Sequence, residues 1–299
     1  MKKYVIVTDS CSDLTKEFRE KYDIDYIPMH VSYDGQEMEA NLDWEIKSFP
    51  EFYGMMRNGT RFTTSQVNAA QFKERFESYI QDGYDILSIS CSSALSASVK
   101  ASEMVAQELL KKYPDSKIIC VDSLNSCMGL GLMCIRASEL RAEGKSIEET
   151  AEWIKENRLT VNQECTVEKL TYLKQAGRVS AASAFFGGLL QIKPIIISDA
   201  SGQNAAVEKV KGRKTSIDRL VECFKAEYES VPYQKVFVAH ADCIEDAELL
   251  KEAVKNACPD KDINIPIVPI GPIVGASAGP GTIAVYFYGK EVVYDSQAK

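Results

Sequence analysis

Three short turns crowded with hydroxyl side chains, each at the end of an apolar run and the start of a helix-like one, constrain this chain most. They are Thr8-Asp9-Ser10-Cys11-Ser12 after residues 4–7, Ser90-Cys91-Ser92-Ser93 after residues 86–89, and Asp122-Ser123 through Ser126 after residues 117–121. Apolar runs closely linked to helical patterns read as βαβ units around a buried parallel sheet. In such sheets ligands collect where strand ends meet helix N-termini, whose free N–H groups attract anions. The turns hold no His and no phosphate-loop Lys, so they describe a cradle for a small oxyanion and point to a binding protein.

The pattern predicts an α/β chain of two domains. Residues 1–160 are expected to form an N-terminal parallel-sheet αβα domain, with helices over 13–22, 69–80, 96–112 and 126–144, a further strand at 26–32, and a bridging helix at 146–159. Residues 161–299 read as a C-terminal α+β domain with a mixed or antiparallel sheet. Its strand-like runs are 161–167, 195–198, 205–210, 236–240, 265–270, 283–288 and 292–294, with fewer helices between them. Turn signals such as Asp199-Ala200-Ser201-Gly202 imply hairpins.

A formal charge of −8 and the absence of any basic face argue against a nucleic-acid partner. No stretch approaches the roughly 18 unbroken apolar residues of a membrane span, so a cytoplasmic protein is expected. The nine cysteines lie at 11, 91, 120, 127, 134, 165, 223, 243 and 258, never at Cys-x-x-Cys spacing, and only His30 and His240 exist to complement them. No metal site and no cofactor is expected, and packed free thiols in a reducing compartment suit the pattern.

Each candidate site has a plain structural alternative. Thr64 and Ser65, in the run Thr63-Thr64-Ser65-Gln66, either cap the following helix or point outward to a ligand. Ser92, Ser93 and Ser96 carry the same two readings, although their hydroxyls outnumber what one cap requires. Gly275-Ala276-Ser277-Ala278-Gly279 matches a nucleophile elbow literally, but that elbow needs a preceding strand and a later His, and no His follows Ser277. Residues 271–281 read better as a glycine-rich turn that approaches a ligand closely, with Ser277 donating a hydrogen bond. Gly129-x-Gly131 is read as helix packing rather than a dinucleotide fingerprint. Phe185 and Phe186, beside Gly187-Gly188, are either core or the wall of a slot for a slender apolar ligand. Lys209, Lys211, Arg213 and Lys214 are either a solvated hairpin or a docking patch for an acidic or nucleotide-loaded partner.

Taken in order, Thr8-Asp9-Ser10, Asp13-Leu14, Thr64-Ser65-Gln66, Ser92-Ser93-Ala94-Leu95-Ser96, Asp122-Ser123 with Ser126, Gly129-x-Gly131, Leu173 with Gly177-Arg178, Lys193-Pro194, and Gly271-Pro272-x-x-Gly275-x-x-x-Gly279-Pro280-Gly281 resemble the DegV family. The resemblance covers essentially the whole chain. It implies a non-catalytic, two-domain carrier that binds a long-chain fatty acid and presents it to a separate fatty acid kinase, which makes the acyl phosphate for phospholipid metabolism. By motif, Thr64 and Ser93 would hold the carboxylate, assisted by Ser65, Ser92, Ser96 and the turn at Gly275, Ala276 and Ser277. Secondary candidates are Ser10, Ser123, Ser126, Phe185, Phe186 and Arg178. Two departures stand out: Ser277 occupies a position where members commonly place His, and Leu95-Ser96-Ala97-Ser98-Val99 replaces the usual Leu-Ser-Gly-Thr-Tyr. The alternative reading is a binder of, or enzyme acting on, a small phosphorylated metabolite, since the same turns suit phosphate.

Overall fold

The computed structural model describes residues 2–45, 47–180 and 191–298. The first part of the chain runs β1 (Tyr4–Asp9), α1 (Lys16–Tyr22), β2 (Ile24–Ile27), β3 (His30–Tyr33), β4 (Gln36–Glu39), α2 (Phe49–Arg57) and β5 (Thr63–Ser65). It continues through α3 (Ala69–Gln81), β6 (Asp85–Ser90), α4 (Ser98–Lys112), β7 (Ile118–Asp122), α5 (Cys127–Ala142) and α6 (Ile147–Asn157). Strands β2, β1, β6 and β7 lie side by side in that order, all parallel, as the buried runs between helices require. Helices α3 and α6 start on reciprocal caps, Asn68 with Gln71 and Ser146 with Glu149.

The remainder runs β8 (Val161–Thr166), α7 (Leu170–Ala176), β9 (Ile192–Ser198), β10 (Asn204–Lys211), α8 (Arg213–Glu227) and β11 (Phe237–His240). Then come α9 (Ile244–Ala257), β12 (Ile267–Pro269), α10 (Pro272–Ala278) and β13 (Ile283–Tyr288). Its sheet has the order β10-β9-β8-β13-β11-β12, antiparallel except where β11 meets β12. The fold class is therefore α/β with a parallel sheet and a separate mixed sheet.

Period-two alternation splits the mixed sheet's faces. On β13, Ile283, Val285 and Phe287 join Leu220, Phe224 and Leu250 of α8 and α9, while Ala284, Tyr286 and Tyr288 enter the larger core shared with the parallel sheet. Helix α5 packs against β1 and β6 and also against β8 and β13. A helix covered by two sheets has no solvated face to keep polar, which is why nearly all of Cys127–Ile135 is buried and apolar. Gly129 and Gly131 lie within it, close against Asn125 and the Ser12 carbonyl.

Several expectations change. The strand expected at 26–32 is two strands: β2 joins the parallel sheet, whereas β3 pairs with β4 and β5 in a three-stranded antiparallel sheet. Residues 292–294 form no strand; the Val292 amide and Tyr294 carbonyl instead bond to Leu159 and Ala200 as the tail crosses the surface. The second half carries two long helices, α8 and α9, and residues 272–278 of the expected glycine-rich turn are a short helix.

That short helix approaches α2 closely. Fully buried Tyr53 donates a 2.8 Å hydrogen bond to the Ile270 carbonyl, and its hydroxyl occupies the space a Cβ at Gly275 would need. Gly279 ends α10 at φ 84°, a left-handed conformation that disfavours other residues, with the Tyr172 ring against it. Gly275→Ala is expected to displace Tyr53 and cost about 1–3 kcal/mol of unfolding free energy in urea titrations.

Candidate functional site

Two carboxylates at strand ends assemble the site. Asp9 ends β1; its Oδ1 accepts the Cys11 amide at 3.0 Å from its own loop, and its Oδ2 accepts the Cys91 amide at 2.9 Å from the loop after β6. Asp122 ends β7 and repeats the pattern, with Oδ1 accepting from the Leu124 amide at 3.0 Å and the Ser93 amide at 3.1 Å. Three loops are thereby stapled side by side. Burial pushes the Asp9 carboxyl up to about 6, opposed by the two amides it holds.

Between these loops, α10 and the mixed sheet lies a cavity of about 420 Å³, within the roughly 300–1,000 Å³ of small-molecule sites. Cys11, Met29, Cys91, Cys165, Val167 and Ile196 supply apolar wall, and α10 adds Ile273, Val274 and Ala278. Thr64, Ser93, Ser96, Ser126 and Ser277 bring hydroxyls from β5, two of the stapled loops and α10, the Ser96 hydroxyl also bonding Ser98 at 3.0 Å, whereas Ser65 lines the cavity but donates its hydroxyl to Glu37 at 3.2 Å. Arg178 is the one cation, and no carboxylate lines the cavity, among the described residues. Its guanidinium donates to the carbonyls of Leu95 and Ala176, which fixes it beside the second serine loop.

The remaining candidates lie elsewhere. Ser92 is fully buried behind the loop, its hydroxyl accepting the Ala94 amide. Ser10 accepts the Met29 amide, and Ser123 accepts the Asn125 amide, so both hydroxyls build turns. Gly275 faces Tyr53, while Ala276 lines an adjoining recess. Phe185 and Phe186 fall outside the described residues. Thr64 is no helix cap: β5 pairs it with Val31, and Asn68 caps α3. Ser277 sits inside α10 and donates to the Ile273 carbonyl at 3.4 Å, not at a strand–helix elbow. His240 accepts the Cys243 amide, and burial pushes its imidazole below the ordinary range.

Gln163, Asn204 and Tyr286 also line the cavity, and sequence reasoning missed them. The available signal was polar Asn162, Gln163 and Glu164 inside a strand whose every residue proves buried. The recess of about 450 Å³ shares Thr64, Arg178 and Ser277 with the cavity and adds Arg57, Arg61 and Lys169, with no acid among its described lining residues. The basic cluster is partly neutralised: Arg213 pairs with Asp246 at 2.8 Å and Lys214 with Asp218 at 2.7 Å. Among the described residues no group of three His, Cys, Asp or Glu side chains is placed to hold a metal, and no helix is long and apolar enough to cross a membrane.

Fold and site together define an α/β protein with an apolar cavity whose polar lining is largely neutral. A family model described as "Uncharacterised protein, DegV family" matches residues 3–290, and this chain belongs to the DegV family. A DegV domain-containing protein of Clostridium perfringens is 40% identical over 289 residues, covering 97% of this chain and 98% of its own. The crystal structure of a DegV lipid-binding protein from Thermotoga maritima matches with TM-score 0.84 at 27% identity, over 97% of this chain and 99% of that one. A Thermus thermophilus DegV family protein, described by its fatty acid binding, matches with TM-score 0.84 at 25% identity, over 97% and 100% of the two chains.

Asp13 lies behind the cavity wall. Burial pushes its carboxyl up to about 7, the Cys127 thiol and Gly271 amide being its nearest donors, and neither oxygen makes a well-formed hydrogen bond. The folded state therefore keeps a proton that an unfolded Asp releases near pH 4. That contribution to stability is fully present below about pH 4 and is lost as pH rises through about 7. Asp13→Asn should flatten the profile: between pH 5 and 8 the variant's unfolding free energy should fall by on the order of 2 kcal/mol less than that of the parent.

Proposed function

We propose that this protein holds a long-chain fatty acid, its acyl chain in the apolar cavity and its carboxylate among Thr64, Ser93, Ser96 and Ser277. The observation that carries the reading is the apolar cavity itself, with hydroxyls from three separate elements on its wall and a single fixed guanidinium. The lipid and fatty acid binding of the Thermotoga and Thermus proteins supports it. Burying an acyl chain yields roughly 0.8 kcal/mol per methylene, on the order of 10 kcal/mol for a long chain before association costs. The head group then needs only compensation for leaving water, and charge-assisted hydroxyl bonds contribute about 1.5–3 kcal/mol each. The apolar wall favours this over a phosphorylated metabolite.

The same reading extends to a kinase partner that phosphorylates the bound acid without chemistry by this chain. The adjoining recess supports it, because Arg61, Lys169 and Arg178 would compensate phosphoryl charge beside the head group, Arg57 being paired with Asp242 at 2.7 Å. Nine free cysteines fit a reducing, cytoplasmic setting. A division into domains near residue 160 belongs to this proposal, supported by sheets that never mix strands from the two sides. Organic extracts of the purified protein should contain a C14–C20 fatty acid by mass spectrometry; an empty extract together with no uptake of added palmitate or oleate refutes the reading. Thr64→Val should weaken oleate binding roughly 10- to 100-fold through its lost hydroxyl.

A further inference from the structure

One strip of the cavity wall does not suit a plain hydrocarbon. Tyr286 and Gln163 are register partners on β13 and β8, and the Tyr286 hydroxyl donates to Gln163 Oε1 at 3.2 Å. Gln163 Nε2 donates to Asn204 Oδ1 at 3.2 Å, and Asn204 Nδ2 donates to the Arg178 carbonyl at 3.3 Å. All three side chains line the cavity, forming a polar ladder that runs inward from the neighbourhood of Arg178. Ser126, at the start of α5, also lines the cavity, and its hydroxyl caps no helix amide.

The ladder is not saturated. A carboxamide offers two N–H donors and two oxygen lone pairs. Gln163, buried at 5% exposure, uses one of each in its bonds to Asn204 and Tyr286. One N–H and one lone pair remain, beside apolar wall made by Cys165, Val167 and Ile196. A methylene chain lying there would give them nothing, and buried polar valences left open are costly. A ketone would satisfy only the donor, and a second carboxylate only the donor while facing the amide oxygen. A hydroxyl both donates and accepts, so it matches the pair.

We propose that the cavity takes a long-chain fatty acid bearing a hydroxyl along its acyl chain, with Gln163 as the specificity-determining residue. This rests on the fatty-acid reading above and narrows its ligand class. The test measures equilibrium binding of delipidated full-length protein to stearate and to stearates hydroxylated at carbon 3, 10 or 12. At least one hydroxystearate should bind about tenfold or more tightly than stearate, because a site built to bond a hydroxyl discriminates against the ligand that lacks it. Gln163→Met, which keeps the volume and removes both valences, should bring that ratio close to one. The wild-type comparison needs no variant and decides alone if Gln163→Met fails to fold. Stearate bound as tightly as every hydroxylated isomer, or a preference that survives Gln163→Met, overturns the inference while leaving the fatty-acid reading intact. Failure of all four acids to bind overturns the inference, and failure of palmitate and oleate as well, with an empty extract, removes both.

Discussion

The site depends on the burial of Asp9. A carboxylate taken out of water is costly unless donors replace its hydration. Asp9 finds two, the amides of Cys11 and Cys91, and these belong to loops on adjacent strands. Its position at the end of β1, opposite the end of β6, makes this pairing available, and parallel register brings the two loops to the same edge. Asp122 does the same between the loops after β6 and β7. Side-chain charge therefore does within the loops what the ladder does within the sheet. The serine loop at residues 93–97 is held from one side through Ser93 and on the other through Arg178, whose guanidinium bonds Leu95.

The second constraint is α5. Because it packs on both sheets, it fixes the distance across which the cavity opens, and Tyr288 ties it to the mixed sheet by donating to the Leu132 carbonyl at 3.1 Å. Ser126 and Cys127 begin the helix, and Cys127 takes φ 51°, a conformation unfavourable for a side-chain-bearing residue. The neighbouring packing of Tyr286 and Asp13 against the Cys127 thiol holds it there. Strain at a loop–helix junction beside a cavity is where a fold stores misfit to position a lining residue.

Much of this architecture is legible in the chain. Strands β1, β6 and β7 stand out because burial on both faces makes them continuous apolar runs, and α5 stands out as an apolar helix. What was not legible depends on tertiary partners. Within residues 26–32 Pro28 is a local signal of a break, since it cannot donate to a ladder, but nothing local shows that the strands on its two sides belong to different sheets. The three residues of β5 are too short for a periodic signal, and their hydroxyls imitate a cap. In residues 271–281 four glycines mask a helix that survives because Tyr53 and Tyr172 fill the space the missing side chains leave. The hydroxyl turns were placed correctly, but the sequence does not distinguish a serine that faces a cavity, such as Ser93, from one that bonds its own loop, such as Ser92 or Ser123.

Strand β8 shows how one segment serves two compartments. Gln163 and Cys165 line the cavity, while Glu164 between them faces the core under α8, where burial pushes its carboxyl up to about 8 and the Cys223 thiol is at hand. Alternation makes this obligatory: a residue cannot be added to one face without its neighbours occupying the other. A polar residue on the cavity face is therefore no accident of strand placement, since Cys165 and Val167 show that apolar residues fit the same row. On the proposed function, that row's apolar members would supply the burial energy of an acyl chain, and the hydroxyls at β5, the serine loop and α10 would orient it. The hydroxyls thus sit on β5, a loop and the short helix that carries Ser277, while Cys165, Val167 and Ile196 tie the apolar wall to the mixed sheet.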